Sequence, residues 1–123
     1  MSATAPHAIV LFAHGSRDPL WHKPMEAVAH QIAQSHPHVL VRCAYLELST
    51  PDLATVCHAL VDQGCREIAV LPMFLGVGKH AREDLPLLIA GLRQQHPAVQ
   101  FDLKPAVGED PRLIQLLAGI AAE

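Results

Sequence analysis

Cysteine is scarce and unpaired in this 123-residue chain: Cys43, Cys57 and Cys65 are odd in number, and no two of them are spaced as C-x-x-C. That pattern excludes a disulfide framework and gives no support to an iron–sulfur or zinc-knuckle site. Three buried thiols are expected instead. Basic residues are also few. Nine Lys and Arg against twelve Asp and Glu leave a formal net charge of -3, whereas general nucleic-acid and anionic-membrane binders carry a basic excess. Any anionic ligand must therefore be met by a local group of cations. No stretch reaches the roughly 18 apolar residues of a membrane span, and Met1 to His7 lack the basic segment and apolar run of a leader. A cytoplasmic protein that binds neither nucleic acid nor membrane is expected. The phosphate-binding patterns G-x-x-x-x-G-K-[ST] and G-x-G-x-x-G are missing. So are G-x-S-x-G and the arginine that precedes the His-Gly of a histidine phosphatase, which leaves nucleophilic catalysis by Ser16 or His14 without support.

What is present is a regular alternation. Half of the residues are apolar and 17% are charged, enough for one domain spanning residues 1–123 with a core of its own and some apolar surplus for a subunit interface. Short apolar runs at Ala8 to Ala13, Val39 to Leu46, Ile68 to Met73 and Val99 to Leu103 read as strands. Helical patterns separate them. One opens at Thr50-Pro51-Asp52, with a cap followed by proline at the first helical position, and closes before Gly64; the last opens in the same way at Asp110-Pro111. Asp84 and Pro86 read as the start of the long helix that runs towards His96, and the regular part of the first helix begins near Lys23. Four βα units of this kind predict an α/β, flavodoxin-like three-layer sandwich around a four-stranded parallel sheet of order 2-1-3-4.

That order gathers the chemistry at one edge. In parallel α/β sheets ligands bind outside the carboxyl ends of the strands, and the loops after three adjacent strands carry His14, Glu47 and His80. Two neutral imidazoles at one mouth suit a transition-metal ion. A carboxylate at the apolar end of a strand is costly unless paired or metal-bound, so Glu47 reads as part of the site. Gly15 and Ser16 form a turn whose N–H groups suit a carboxylate or phosphate, while Asp18 suits a helix cap. Gly76 and Gly78 flank a loop read as a mobile flap bearing Lys79, His80 and Arg82. His22, His30, His36, His38, His58 and His96 fall on helix surfaces or ends, where solvated or capping roles are expected.

The runs Ala13-His14-Gly15-Ser16-Arg17-Asp18-Pro19, Tyr45-Leu46-Glu47 with Pro51, and Leu71-Pro72-Met73-Phe74-Leu75 through Gly76 and Gly78 to His80 and Asp84-Leu85-Pro86 resemble a known family. It is that of the small, single-domain sirohydrochlorin chelatases, class II enzymes that insert a divalent metal into a tetrapyrrole on the way to cobalamin, sirohaem or a nickel cofactor. The resemblance covers nearly the whole chain. It implies that His14 and His80 bind the incoming metal, with Glu47 in the same cleft as a base or a support for a ligand. It also implies that a chain of this length works as a symmetric homodimer, since larger members hold two such halves. The metal is substrate, Co²⁺ first and Fe²⁺ or Ni²⁺ next, and no organic cofactor is needed. A flat apolar macrocycle with carboxylate arms calls for an apolar cleft rimmed by polar and cationic groups, for which Ser16, Arg17, Lys79 and Arg82 are the candidates. Two other readings compete: a metal carrier that does not act on a tetrapyrrole, and a flavodoxin-like module for an anionic small molecule.

Overall fold

The computed structural model describes residues 7–123; the N-terminal segment read as lacking a leader falls mostly outside them. Strand β1 (Ala8–Ala13) leads through a 3₁₀ turn at Pro19–His22 into helix α1 (Lys23–Ser35). Then come β2 (Leu40–Tyr45), α2 (Leu53–Asp62), β3 (Glu67–Pro72), α3 (Lys79–Gln95) and β4 (Gln100–Leu103). A second 3₁₀ turn at Val107–Glu109 precedes α4 (Pro111–Ala121). All strand pairs are parallel, in the order β2-β1-β3-β4. This is the predicted order, and the strand bounds fall within one or two residues of those read from the apolar runs.

The central strand β1 is buried on both faces, which is why it reads as an unbroken apolar run rather than an alternating one. Val10 and Phe12 point to one side and pack with Val56 and Leu60 of α2 and Leu85 and Ile89 of α3. Leu11 and Ala13 point to the other side and meet Met25, Ala29 and Ile32 of α1. Removing Leu60 or Ile89 from water contributes about 1.5–3 kcal/mol each. Cys57 and Cys65 are buried, Cys43 is half-buried, and all three are free thiols. Burial pushes the Cys57 thiol up to about 12, so it is an inert core residue.

Three expectations are corrected. The α2 cap is Asp52, whose carboxylate accepts from the Thr55 N–H at 2.9 Å, and Pro51 lies before the cap rather than at the first helical position. Helix α3 starts at Lys79, five residues earlier than Asp84 suggests, and Pro86 lies inside it. The proline removes one N–H from the ladder, but it is exposed and the turns on either side continue. Lys79, His80 and Arg82 therefore belong to the first turn of a helix, not to a flap. Finally, β2 is an edge strand that ends at Tyr45, so Glu47 stands in a loop with its side chain 45% exposed. The burial argument for Glu47 fails, and its role rests on its partners.

Candidate metal-binding cleft

Parallel pairing of β1 with β2 aligns Ala13 with Tyr45, and the Leu46 N–H extends the ladder to the Ala13 carbonyl at 2.8 Å. The residues that follow both strands are thereby delivered to one place. His14 Nδ1 lies 2.8 Å from Glu47 Oε1, and the second carboxylate oxygen accepts from the Gly15 N–H at 3.2 Å. A carboxylate can only accept, so Nδ1 of a neutral His14 carries the hydrogen and Nε2 keeps its lone pair. Carboxylate, imidazole and open Nε2 make the arrangement by which proteins orient a histidine for a metal.

The charge balance at Glu47 follows from the same contacts. Partial burial by itself raises its carboxyl, but the hydrogen bonds from His14 and Gly15 and the charge of the His14 ring outweigh that effect. The group is held below its ordinary 4.5. A depressed carboxyl stabilises the fold above its ordinary pKa and loses that contribution as pH falls through the folded value. The stability difference between wild type and Glu47→Gln, measured as urea midpoints, is therefore expected to be larger near pH 6 than near pH 3. An equal difference at both would remove the pairing.

A second set of contacts locks the two loops together. Ser49 Oγ accepts from the Ser16 N–H at 2.9 Å, donates to the Ser16 carbonyl at 2.8 Å, and lies 3.1 Å from His22 Nε2. The His22 ring in turn stacks on Tyr45 with centroids 4.6 Å apart. The chain reaches this position by turning back at Leu48, whose φ of +64° is left-handed. Gly15 and Ser16 thus spend their N–H groups on Glu47 and Ser49. The Gly15 N–H does hold a carboxylate, but it is that of Glu47 within the chain. Asp18 caps the 3₁₀ turn as expected, accepting from Leu20.

On the other side of His14 an apolar cleft of about 330 Å³ opens between Trp21, Met25, Met73, Phe74 and Gly76. The Met73 N–H continues the β1–β3 ladder to Phe12, and this brings the Phe74 ring to 4.6 Å from the His14 ring. Trp21 Nε1–H donates to the His14 carbonyl at 2.7 Å. A volume of 330 Å³ is at the small end of ligand pockets. The cleft is open rather than enclosed.

The structure unites His14, Glu47 and Ser16, but it does not bring every predicted residue into contact with them. His80 is the second residue of α3, is exposed, and makes no hydrogen bond or ion pair among the described residues. It follows the loop whose near end, Phe74 to Gly76, walls the cleft. Lys79 is exposed at the first position of α3. Arg17 lines a separate open depression with Ser16, His22 and Ser49. Arg82 donates back to the Val77 carbonyl and faces a different groove, beside Leu85 and Lys104. Among the described residues no three His, Cys, Asp or Glu side chains converge as a ready ligand set. Sequence reading missed Trp21, His22, Ser49 and Phe74, whose roles depend on how the loops fold back.

A family model described as CbiX matches residues 8–123. The sirohydrochlorin cobaltochelatase of Methanosarcina acetivorans is 33% identical over 82 residues, covering 67% of this chain and 63% of its own length. That of Methanocaldococcus jannaschii is 29% identical over 89 residues, covering 72% and 62%. The sirohydrochlorin ferrochelatase of Bacillus subtilis is 30% identical over 111 residues, covering 88% of this chain and 41% of its own. The chain thus spans less than two thirds of the curated relatives it matches. Among solved structures, a cobalamin (vitamin B12) biosynthesis CbiX protein from Marinobacter aquaeolei superposes with a TM-score of 0.82 at 34% identity, over 95% of both chains. The sirohydrochlorin chelatase SirB of Bacillus subtilis subspecies spizizenii, in complex with cobalt, gives 0.79 at 25% identity, over 96% of this chain and 50% of that one.

Proposed function

Since the chain belongs to the CbiX family, we propose that it is a sirohydrochlorin chelatase that inserts a divalent metal, Co²⁺ in the first place, into the tetrapyrrole. The observation that carries this reading is His14, oriented by Glu47 and Gly15 beside an apolar cleft. The names of the relatives, cobaltochelatase and ferrochelatase, support the substrate and the metals. Insertion exchanges two pyrrole protons for a dication. No electron is transferred, so no organic cofactor takes part.

In this mechanism the neutral imidazole of His14 offers Nε2 to the metal and holds it without adding a charge that the macrocycle must displace. His80, at the start of α3, is assigned as the second ligand on the family motif. Glu47 is a positioning residue in the first instance. Its depressed carboxyl stays ionised and is a weak proton acceptor, while its geometry fixes the His14 tautomer. Trp21 and Phe74 supply flat apolar surface for the disc. Ser16, Arg17, Lys79 and Arg82 are assigned to the carboxylate arms; Ser16 and Arg17 share the loop that bears His14 but line a depression separate from the cleft. A carrier without chelatase activity binds Co²⁺ and leaves the absorbance of added sirohydrochlorin changing at the protein-free rate. A chelatase accelerates that change.

We further place the protein in the cytoplasm as a symmetric homodimer over the single domain 1–123. Three free thiols suit a reducing compartment, and no helix among the described residues is long and apolar enough to cross a membrane. Helix α4 supports the dimer. It buries no residue, and it leaves Leu116, Leu117 and Ile120, which share one face, between 41% and 60% exposed. A helix this apolar on one side is ordinarily covered. Sedimentation equilibrium at micromolar concentration is expected to give twice the chain mass, and Leu116→Asp is expected to lower it. A monomeric mass in an active wild-type preparation contradicts the dimer.

A further inference from the structure

His58 and His96, expected from the sequence as solvated or capping residues, do more than that: His96 does end α3 as its C-cap, and its ring also meets that of His58. His58 stands on α2 and His96 is the C-cap of α3, two helices on the same side of the sheet. Their rings meet with His58 Nδ1 2.6 Å from His96 Nε2, at a centroid separation of 4.7 Å and an interplanar angle of 62°. Both residues are half-buried, and Phe101 stands behind His96 at 6.3 Å. Each neutral imidazole has one N–H, so the contact holds a single hydrogen between two ring nitrogens. The outer nitrogen of each ring is left without a protein partner among the described residues.

The surroundings favour positive charge. His96 terminates α3, its N–H donating to the Leu92 carbonyl at 2.9 Å, so the pair sits at the negative end of a long helix. The Asp52 carboxyl is held below its ordinary value by its hydrogen bonds from Thr55, with a further electrostatic contribution from His58, so the ring is within reach of that charge. The site is remote from the cleft. His96 lies at the opposite end of α3 from His80, about 24 Å away at 1.5 Å per residue.

We propose that His58 and His96 form a second site for a divalent transition-metal ion, which clamps α2 to the end of α3 with water completing the coordination. Imidazole nitrogens suit Co²⁺, Ni²⁺, Cu²⁺ and Zn²⁺ alike. Metal–nitrogen distances of about 2.0–2.1 Å require the two nitrogens to part from 2.6 Å to roughly 3.3 Å, an opening of about 0.7 Å. The shared hydrogen moves to the outer nitrogen of its own ring, which is a change of tautomer with no net proton gained or lost. No third His, Cys, Asp or Glu side chain joins the pair among the described residues. Affinity is therefore well short of a four-ligand structural site.

The test uses the full chain with the cleft histidines removed, His14→Ala/His80→Ala, so that the insertion site does not contribute. Titration with Ni²⁺ by calorimetry is expected to give one equivalent per chain, and excess Ni²⁺ is expected to raise the melting temperature. Adding His58→Ala or His96→Gln is expected to abolish both effects. The His96→Gln change keeps a hydrogen-bonding side chain of similar reach but supplies a poor metal ligand, so it remains informative if the alanine variant folds badly. Ni²⁺ binding and a melting rise that persist in the folded His96→Gln variant, or no Ni²⁺ bound to the parent, would overturn the proposal.

Discussion

Replacing His14 with alanine is expected to slow cobalt insertion by well over tenfold and to weaken Co²⁺ binding by a similar factor. Each factor of ten corresponds to about 1.4 kcal/mol. The expectation follows from the geometry of one ring. Nδ1 is committed to Glu47 at 2.8 Å, and this leaves Nε2 as the only nitrogen for a metal. Alanine removes the ligand and strands the carboxylate. Glu47→Gln is expected to fail differently. The amide oxygen still accepts from Nδ1–H, so much of the metal affinity remains, while loss of the carboxylate charge lowers the insertion rate. Calorimetric Co²⁺ titration alongside single-turnover insertion separates the two. Equal losses of metal binding in both variants would make Glu47 a direct ligand, and near wild-type turnover in His14→Ala would remove His14 from the chemistry.

The second large effect is expected at Gly15. A Cβ there meets the Glu47 carbonyl oxygen at 1.9 Å and Ser49 Oγ at 2.7 Å. The first of these is backbone and cannot rotate away, so Gly15→Ala must separate the β1 and β2 loops. With them go the Gly15 to Glu47 and Ser16 to Ser49 hydrogen bonds. A loss of roughly 2–3 kcal/mol in stability and more than tenfold in insertion is expected. Gly76 is the control, because nothing lies within 4 Å of a Cβ added there. Gly76→Ala is expected to change stability by less than about 0.5 kcal/mol. Chemical denaturation of the two variants checks both, and a Gly15→Ala protein as stable as Gly76→Ala would contradict the close loop packing.

The sheet was legible in the sequence because β1 and β3 are buried on both faces and their apolar runs leave no other reading. The start of α4 was legible through Asp110, which caps with its side chain; that of α2 was read two residues early, because Thr50-Pro51 imitates the cap and first position that Asp52 and Leu53 fill. The start of α3 was not. Its cap, Gly78, makes no side-chain hydrogen bond, and Pro86 imitates a helix start from inside the helix. At the site, His14 and Glu47 were within reach of sequence because strand order alone brings the ends of β1 and β2 together. Ser49 and His22 were not, since their contact depends on the backward turn at Leu48, a left-handed backbone at a residue type that gives no warning of it. His80 was read from its place after the third strand as well as from the motif. The structure puts it on the first turn of α3 rather than at a strand end, so its share in the metal is a matter for mutation.

The proposed chelatase activity depends on His14 as the group that delivers the divalent metal to the tetrapyrrole. The most direct measurement is the initial rate of the absorbance change of sirohydrochlorin with Co²⁺, Fe²⁺ and Ni²⁺ in turn, with wild type, with His14→Ala and with no protein. Wild type is expected to accelerate insertion of at least Co²⁺ over the protein-free rate, and His14→Ala is expected to fall most of the way back to it. A wild-type protein that binds Co²⁺ but leaves all three rates at the protein-free value would contradict the account.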